Sequence, residues 1–229
     1  MARLPRICPP GIPVHLIQRG NNKQVCFTAT EDFAVYANWL HESSVRFGVA
    51  IHAWVFMTNH VHILATPQTP DSISRMMQVV GRHYVRYFNK AHSRTGTLWE
   101  GRFKSCVVDS ENYVLCCQRY IELNPVRANM VTMPSEYPWS SYHSNGLGKP
   151  AKLWTPHETY LSMGNSDQSR ILAYQSLFKS NIESSVLKDI RNSVNRGMAL
   201  GSQRFKDEVE QLTGRRVTPK KPGPRKHVL

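Results

Sequence analysis

Acidic side chains are scarce in this chain: 16 Asp and Glu stand against 29 Lys and Arg, a formal net charge of +13. The imbalance suits a polyanionic partner, most simply nucleic acid, with a generic basic surface as the competing account. Long apolar runs are missing too. No window approaches the roughly eighteen consecutive apolar residues of a membrane-spanning helix, so no membrane partner is expected. The opening stretch, MARLPRICPPGIPVHLIQRG, has no apolar h-region, and a signal peptide is not expected. Cysteines number five, without a CxxC pair, and Cys116 and Cys117 are adjacent. That pattern fits reduced thiols in a cytoplasmic protein and excludes a disulfide framework or a zinc knuckle.

What is present is enough for a real core. Hydrophobic residues make up 41% of 229, the material of one substantial domain with an appendage or of two small ones. Residues 14–18 (VHLIQ) read as a strand, and residues 31–46 as a helix through Phe33, Tyr36 and Leu40. Residues 49–57 (VAIHAWVFM) and 60–66 read as two strands joined by the two-residue turn Thr58-Asn59. Asp71 or Ser72 can cap a long helix whose apolar face carries Ile73, Met76, Met77, Val80, Tyr84 and Tyr87. Residues 98–108 read as a fourth strand. Asp109 then caps a helix running through Leu123 and stopped by Pro125.

The order strand, helix, strand, strand, helix, strand predicts an α+β, ferredoxin-like antiparallel sheet with two helices on one face and the other face free. The expected division is a domain over 1–145, a helical extension over 146–213 that begins at GLGKP (146–150), and a flexible basic tail over 214–229.

Two short motifs could carry chemistry. Residues alternate across a strand, so His60 and His62 share one face while Val61, Ile63 and Ala65 take the other. Two neutral imidazoles so placed form a divalent-metal pair, or are simply half-exposed strand histidines. In YIELN (120–124), Tyr120 and Asn124 are four apart and share a helix face. That face is ordinary surface polarity, or it holds a nucleophile beside a metal-binding carboxamide: phenol attack on a phosphodiester gives a phosphotyrosine and a free hydroxyl.

The motifs together resolve this choice. HVH matches the His–hydrophobic–His signature, and YIELN followed by PVRANMV matches the tyrosine helix, of single-tyrosine HUH transposases. MARLPR, HLIQRGNNKQ, AWVFMTNHVHIL, LWEGRFKS and PWSSYH, in that order, resemble the REP-associated tyrosine transposases of the IS200-like group. The resemblance spans about the first 145 residues. It implies the HUH endonuclease fold, a catalytic Tyr120, and metal ligation by His60, His62 and Asn124, with Mg²⁺ or Mn²⁺ as cofactor. Asn124 stands where many related transposases have Gln. The resemblance further implies that the chain cuts and rejoins single-stranded DNA at short palindromes folded into hairpins, in bacterial cytoplasm and with the nucleoid. Related insertion-sequence transposases are dimers that exchange the tyrosine helix; the long C-terminal extension here favours a monomer working in cis.

The expected DNA contacts are Arg3, Arg6, His15 and Arg19 on the N-terminal arm and first strand, with His15 and Arg19 sharing a parity. Arg75, Arg82, Arg86 and Lys90 recur along the second helix, either tracking phosphates or forming a solvated face. Arg102 and Lys104 lie on the fourth strand, and Arg215, Arg216, Lys220 and Lys221 in the tail. Two other functions fit a sheet of this kind: a nucleic-acid-binding module without chemistry, and a metal-dependent nuclease that uses water. Paired aromatics, usual on the central strands of RNA-recognition modules, are replaced here by His60 and His62, which argues against the first.

Overall fold

The alternating and β-branched segments pair as one sheet. In the computed structural model, which describes residues 6–218, the strands are β1 (Val14–Arg19), β2 (Val49–Met57), β3 (His60–Pro67) and β4 (Lys104–Val107). Their order is β2-β3-β1-β4 and every pairing is antiparallel. Helices α1 (Thr30–Phe47) and α2 (Ser72–Ala91) make the two crossovers, which is the expected ferredoxin-like arrangement. The two-residue turn at Thr58-Asn59 sets the β2–β3 register, pairing Met57 with His60.

One face of the sheet carries Val14, Leu16, Ile51, Phe56, Val61, Ile63 and Ala65 into the main core. They meet Phe33, Tyr36 and Leu40 of α1 and Ile73, Met76, Val80 and Tyr84 of α2. Each such side chain contributes about 1.5–3 kcal/mol by leaving water. Of the two tyrosines that enter this core, Tyr84 donates its hydroxyl to the Cys26 carbonyl at 2.6 Å, while the Tyr36 hydroxyl has no hydrogen-bond partner among the described residues.

The other face is not free, contrary to the sequence expectation. Ala53, Val55, Met57, Leu64 and Cys106 point that way and need cover, which comes from α3 (Val114–Glu122) and, further along the chain, α8 (Ser184–Arg196). Between and after these lie α4 (Asn124–Arg127), α5 (Tyr142–Asn145), α6 (Glu158–Leu161), α7 (Asp167–Ser176) and α9 (Gln203–Thr213).

Three boundaries differ from the sequence reading. The fourth strand is shorter than 98–108, because the chain bends through Gly101, whose φ of +147° favours glycine. Asp109 does not cap α3; its buried carboxylate accepts from the Glu111 and Ser202 backbone N–H groups, and the helix begins five residues later. The extension beyond residue 146 shares the main core, to which it contributes Leu153, Ala199, Val209 and Val217. Val217 is fully buried, its N–H donates to Glu210 and its carbonyl accepts from Ala199. Within residues 214–218, expected in a flexible tail, Val217 is therefore packed, while Gly214 and Arg216 are exposed. Arg3, Lys220 and Lys221 lie outside the described residues.

Candidate active site

The register of β1 against β3 builds the site. Ile17 sits opposite His62, Arg19 opposite His60 and His15 opposite Leu64, so His15, Arg19, His60 and His62 share one face. His15 is diagonal to His62, within reach of a long side chain. Their rings stack with centroids 5.1 Å apart, and His15 Nε2 lies 2.9 Å from His62 Nδ1. His60 and His62 rings are 5.0 Å apart.

The His60 tautomer follows from its neighbour. Asn59 Nδ2 donates to the Lys23 carbonyl, which turns Asn59 Oδ1 toward His60 Nδ1 at 2.6 Å. An amide oxygen only accepts, so Nδ1 carries the proton and His60 Nε2 keeps its lone pair. Among the described residues neither His60 Nε2 nor His62 Nε2 takes a hydrogen bond. Burial, with the Arg19 charge adding to it, pushes the His60 pKa down to about 4. Burial takes His62 well below its ordinary value, helped by His15, His60, Arg127 and Arg19. Both rings are neutral at physiological pH, the state in which imidazole ligates a metal.

α3 crosses above the histidines and lowers Tyr120 onto them. The Tyr120 ring stands edge-on to His15 and to His62, at 5.8 Å from each. α3 ends at Glu122 and α4 begins at Asn124, with Pro125 next; Asn124 thus sits at a joint rather than on one unbroken helix with Tyr120. Both residues nevertheless line the same cavity of about 720 Å³ as His60 and His62. No group of three or more His, Cys, Asp and Glu is placed to hold a metal among the described residues, and the Asn124 carboxamide is an oxygen donor that lines the cavity with the two histidines. Two neutral imidazoles and the Asn124 carboxamide fit a divalent cation that takes mixed nitrogen and oxygen donors.

The cavity is strongly basic. Eight Lys and Arg side chains line it against one carboxylate, Glu100. Arg6, Arg19, Arg102, Lys104, Arg215 and Arg216, all expected as DNA contacts, are among the eight. The other two, Arg191 and Arg196, come from α8 and were not foreseen, since their chain separation from HVH hides the contact. Lys104 Nζ donates to Asn195 Oδ1 at 2.9 Å and ties β4 to that helix.

Other expectations fail or move. His15 is fully buried and cannot meet DNA; it lies behind His62 instead. Arg75, Arg82 and Arg86 line a separate cavity on the α2 side, and Lys90 lines neither of these two. Arg127 was missed although it lies in PVRANMV. Its guanidinium is 4.3 Å from the Tyr120 ring centroid, and its Nη2 donates to the Tyr120 carbonyl at 2.6 Å.

The profile of a family described as transposase IS200-like matches residues 10–124. No curated protein matches the chain. A solved REP-associated tyrosine transposase bound to a REP hairpin is similar to it at 21% identity, covering 69% of this chain and 93% of that one, with a TM-score of 0.53. A candidate transposase from Deinococcus radiodurans R1 is similar at 21% identity over 53% of this chain and 93% of that one, with a TM-score of 0.37.

Proposed function

The chain belongs to the IS200-like transposase family, and from that premise we propose that it cuts and rejoins single-stranded DNA through a bond between Tyr120 and a DNA phosphate. The observation that carries the reading is the meeting of Tyr120, His60, His62 and Asn124 in one basic cavity.

In this reading the phenolic oxygen of Tyr120 attacks the scissile phosphorus. A phosphorus–oxygen ester bond forms to the tyrosine as the one to the leaving sugar oxygen breaks. The phenol gives up its proton and the leaving oxygen gains one, so a free hydroxyl and a phosphotyrosine result. A second hydroxyl then reverses the exchange and releases the tyrosine, conserving the bond. His60 and His62, through Nε2, and Asn124, through its carbonyl oxygen, would hold Mg²⁺ or Mn²⁺, which when bound polarises the phosphate. The chain's own part is positioning. Arg127 holds the Tyr120 ring and backbone. The arginines around the cavity neutralise the strand on either side of the phosphate.

The similar solved transposase binds a REP hairpin; we extend that substrate to this chain as a hairpin with an adjoining single strand, met in the bacterial cytoplasm. The test uses labelled hairpin oligonucleotides from the DNA flanking the gene, with and without Mn²⁺, on a denaturing gel. A band of protein joined to DNA supports the tyrosine route. Cleavage without that band points to water as the nucleophile, and binding without cleavage to a non-catalytic module.

A further inference from the structure

A second cavity, of about 630 Å³, opens on the opposite side of β1 and β4, against α2. Its floor holds two side chains that are polar and almost wholly buried: Gln18, 7% exposed, and Trp99, 9% exposed. Among the described residues, Gln18 Oε1 and Trp99 Nε1 have no hydrogen-bond partner. A buried acceptor and a buried donor left unpaired cost stability unless something else completes them. Both side chains converge on Gly81 of α2: a Cβ there would lie 3.8 Å from Trp99 Nε1 and 3.9 Å from Gln18 Nε2. The missing side chain of Gly81 leaves the floor open.

The walls and rim narrow the choice of occupant. Met77 and Val85 are apolar, and the Trp99 ring is braced from the core side by Tyr84, stacked at 5.8 Å. Arg75, Arg82 and Arg86 of α2 line the same cavity, and among the described residues no acidic side chain does. A flat, apolar-faced ligand with polar edges and an attached anion fits these surroundings. Arg6, Arg102 and Phe103 line both this cavity and the catalytic one, and the Arg6 guanidinium lies 3.7 Å from the centroid of the Phe103 ring. The two sites therefore share a wall.

We infer that this cavity receives one unpaired nucleobase of the DNA strand, whose edge pairs with Gln18 and Trp99 while α2 arginines take the flanking phosphates. The inference rests on the reading of the catalytic cavity as a DNA site. It also gives Arg75, Arg82 and Arg86 the strand-tracking role rather than that of a solvated face. A base in a duplex cannot enter, because it is stacked between its neighbours and paired on its Watson–Crick edge.

The test is a set of hairpin oligonucleotides with a single-stranded flank, each carrying one abasic position, titrated against the wild-type chain, Gly81→Leu and Gln18→Met. For the wild type, one flank position should cost about tenfold in affinity when its base is removed. Gly81→Leu should bind the intact strand about tenfold more weakly and be indifferent to that position, because its side chain fills the floor. Gln18→Met should lose affinity too, with a melting temperature equal to or above that of the wild type, since it removes an unpaired polar group and keeps the volume. Should Gly81→Leu fail to fold, Gln18→Met carries the test alone. A wild type that forms the covalent adduct but is indifferent to every abasic position would overturn this inference and leave the catalytic reading standing. Intact-strand affinity unchanged in Gln18→Met would overturn it as well. A wild type that neither binds the strand nor forms an adduct overturns both readings.

Discussion

His15 and His62 form a buried ring-to-ring hydrogen bond, Nε2 to Nδ1 at 2.9 Å. Only one of these nitrogens carries a proton, and the choice decides what His62 can do. If His15 donates, His62 holds its own proton on Nε2 and has no lone pair to offer there. If His62 donates, its Nε2 is free to ligate. A cation in the site selects the second arrangement, with His15 as the acceptor that orients the ligand. We expect His15→Phe to weaken Mn²⁺ binding about tenfold, as loss of an orienting partner generally does, with the chain still folded. Isothermal calorimetry of Mn²⁺ binding is the measurement; equal affinity in the two proteins would remove His15 from that role.

Tyr120→Phe should abolish cleavage and the covalent adduct while hairpin binding stays nearly intact. The Tyr120 ring belongs to the apolar cluster of the second sheet face and stands against His15, His62 and Arg127, and Phe keeps that ring in place. Arg127 interacts with the Tyr120 side chain as well as with its carbonyl, and the carbonyl contact survives in the Phe variant, so the ring stays anchored. A Phe variant that still cleaves would sink the mechanism.

Arg127→Lys should slow single-turnover cleavage about tenfold with little effect on affinity. Lysine keeps the charge but not the flat guanidinium that both covers the ring and reaches the Tyr120 carbonyl. A cation–π contact of this burial contributes on the order of 1–2 kcal/mol, enough for that factor. Rapid-quench rates at saturating protein give the answer, and a Lys variant as fast as the wild type would rule out the positioning role.

These residues differ in how far the sequence announced them. His60 and His62 were legible because strand parity is local: two residues apart on a β-strand means one face. The four-strand order followed from element order, which leaves few antiparallel topologies open. Arg191, Arg196 and the packing of α8 were not legible. The second sheet face was expected to be free; the apolar run of β2 and β3 is the signal against that, but it does not say which distant helix provides the cover. His15 was assigned to the right face and the wrong depth, since parity gives direction without distance from solvent. The shortened β4 hung on one backbone conformation at Gly101, which no periodicity reports.

Glu122 offers a pH test. It is fully buried and accepts from Ser141 Oγ, Asn145 Nδ2 and Tyr174 Oη, which joins α3 to α5 and α7. Burial outweighs those three donors and pushes its pKa up from 4.5 to about 7. Between those values the folded chain holds a proton that the unfolded chain has lost. The resulting stabilisation is complete below about 4.5 and is lost as pH rises through about 7. Glu122→Gln cannot ionise, so urea denaturation across pH 5 to 8 should show a flatter decline for the variant than for the wild type. Parallel curves would mean that the carboxyl does not titrate in this range.

Arg215 and Arg216 separate charge from packing at the C-terminal end. They line the catalytic cavity, while Val217, next in sequence, is buried in the main core. Deleting everything from residue 214 therefore removes two things at once: phosphate contacts and a core side chain whose loss costs about 1.5–3 kcal/mol. Arg215→Gln combined with Arg216→Gln isolates the first. If both side chains neutralise phosphates of a single strand, the slope of log affinity against log salt should become shallower by about 1.4. The melting temperature should hold, because Val217 stays in place. If these residues instead restrain access to the cavity, the double variant should cleave faster at saturating protein, with the salt slope unchanged. Hairpin affinity over a salt series, read beside single-turnover rates, tells the two apart. A flattened slope with no gain in rate assigns the arginines to the strand, and a gain in rate on an unchanged slope assigns them to the gate.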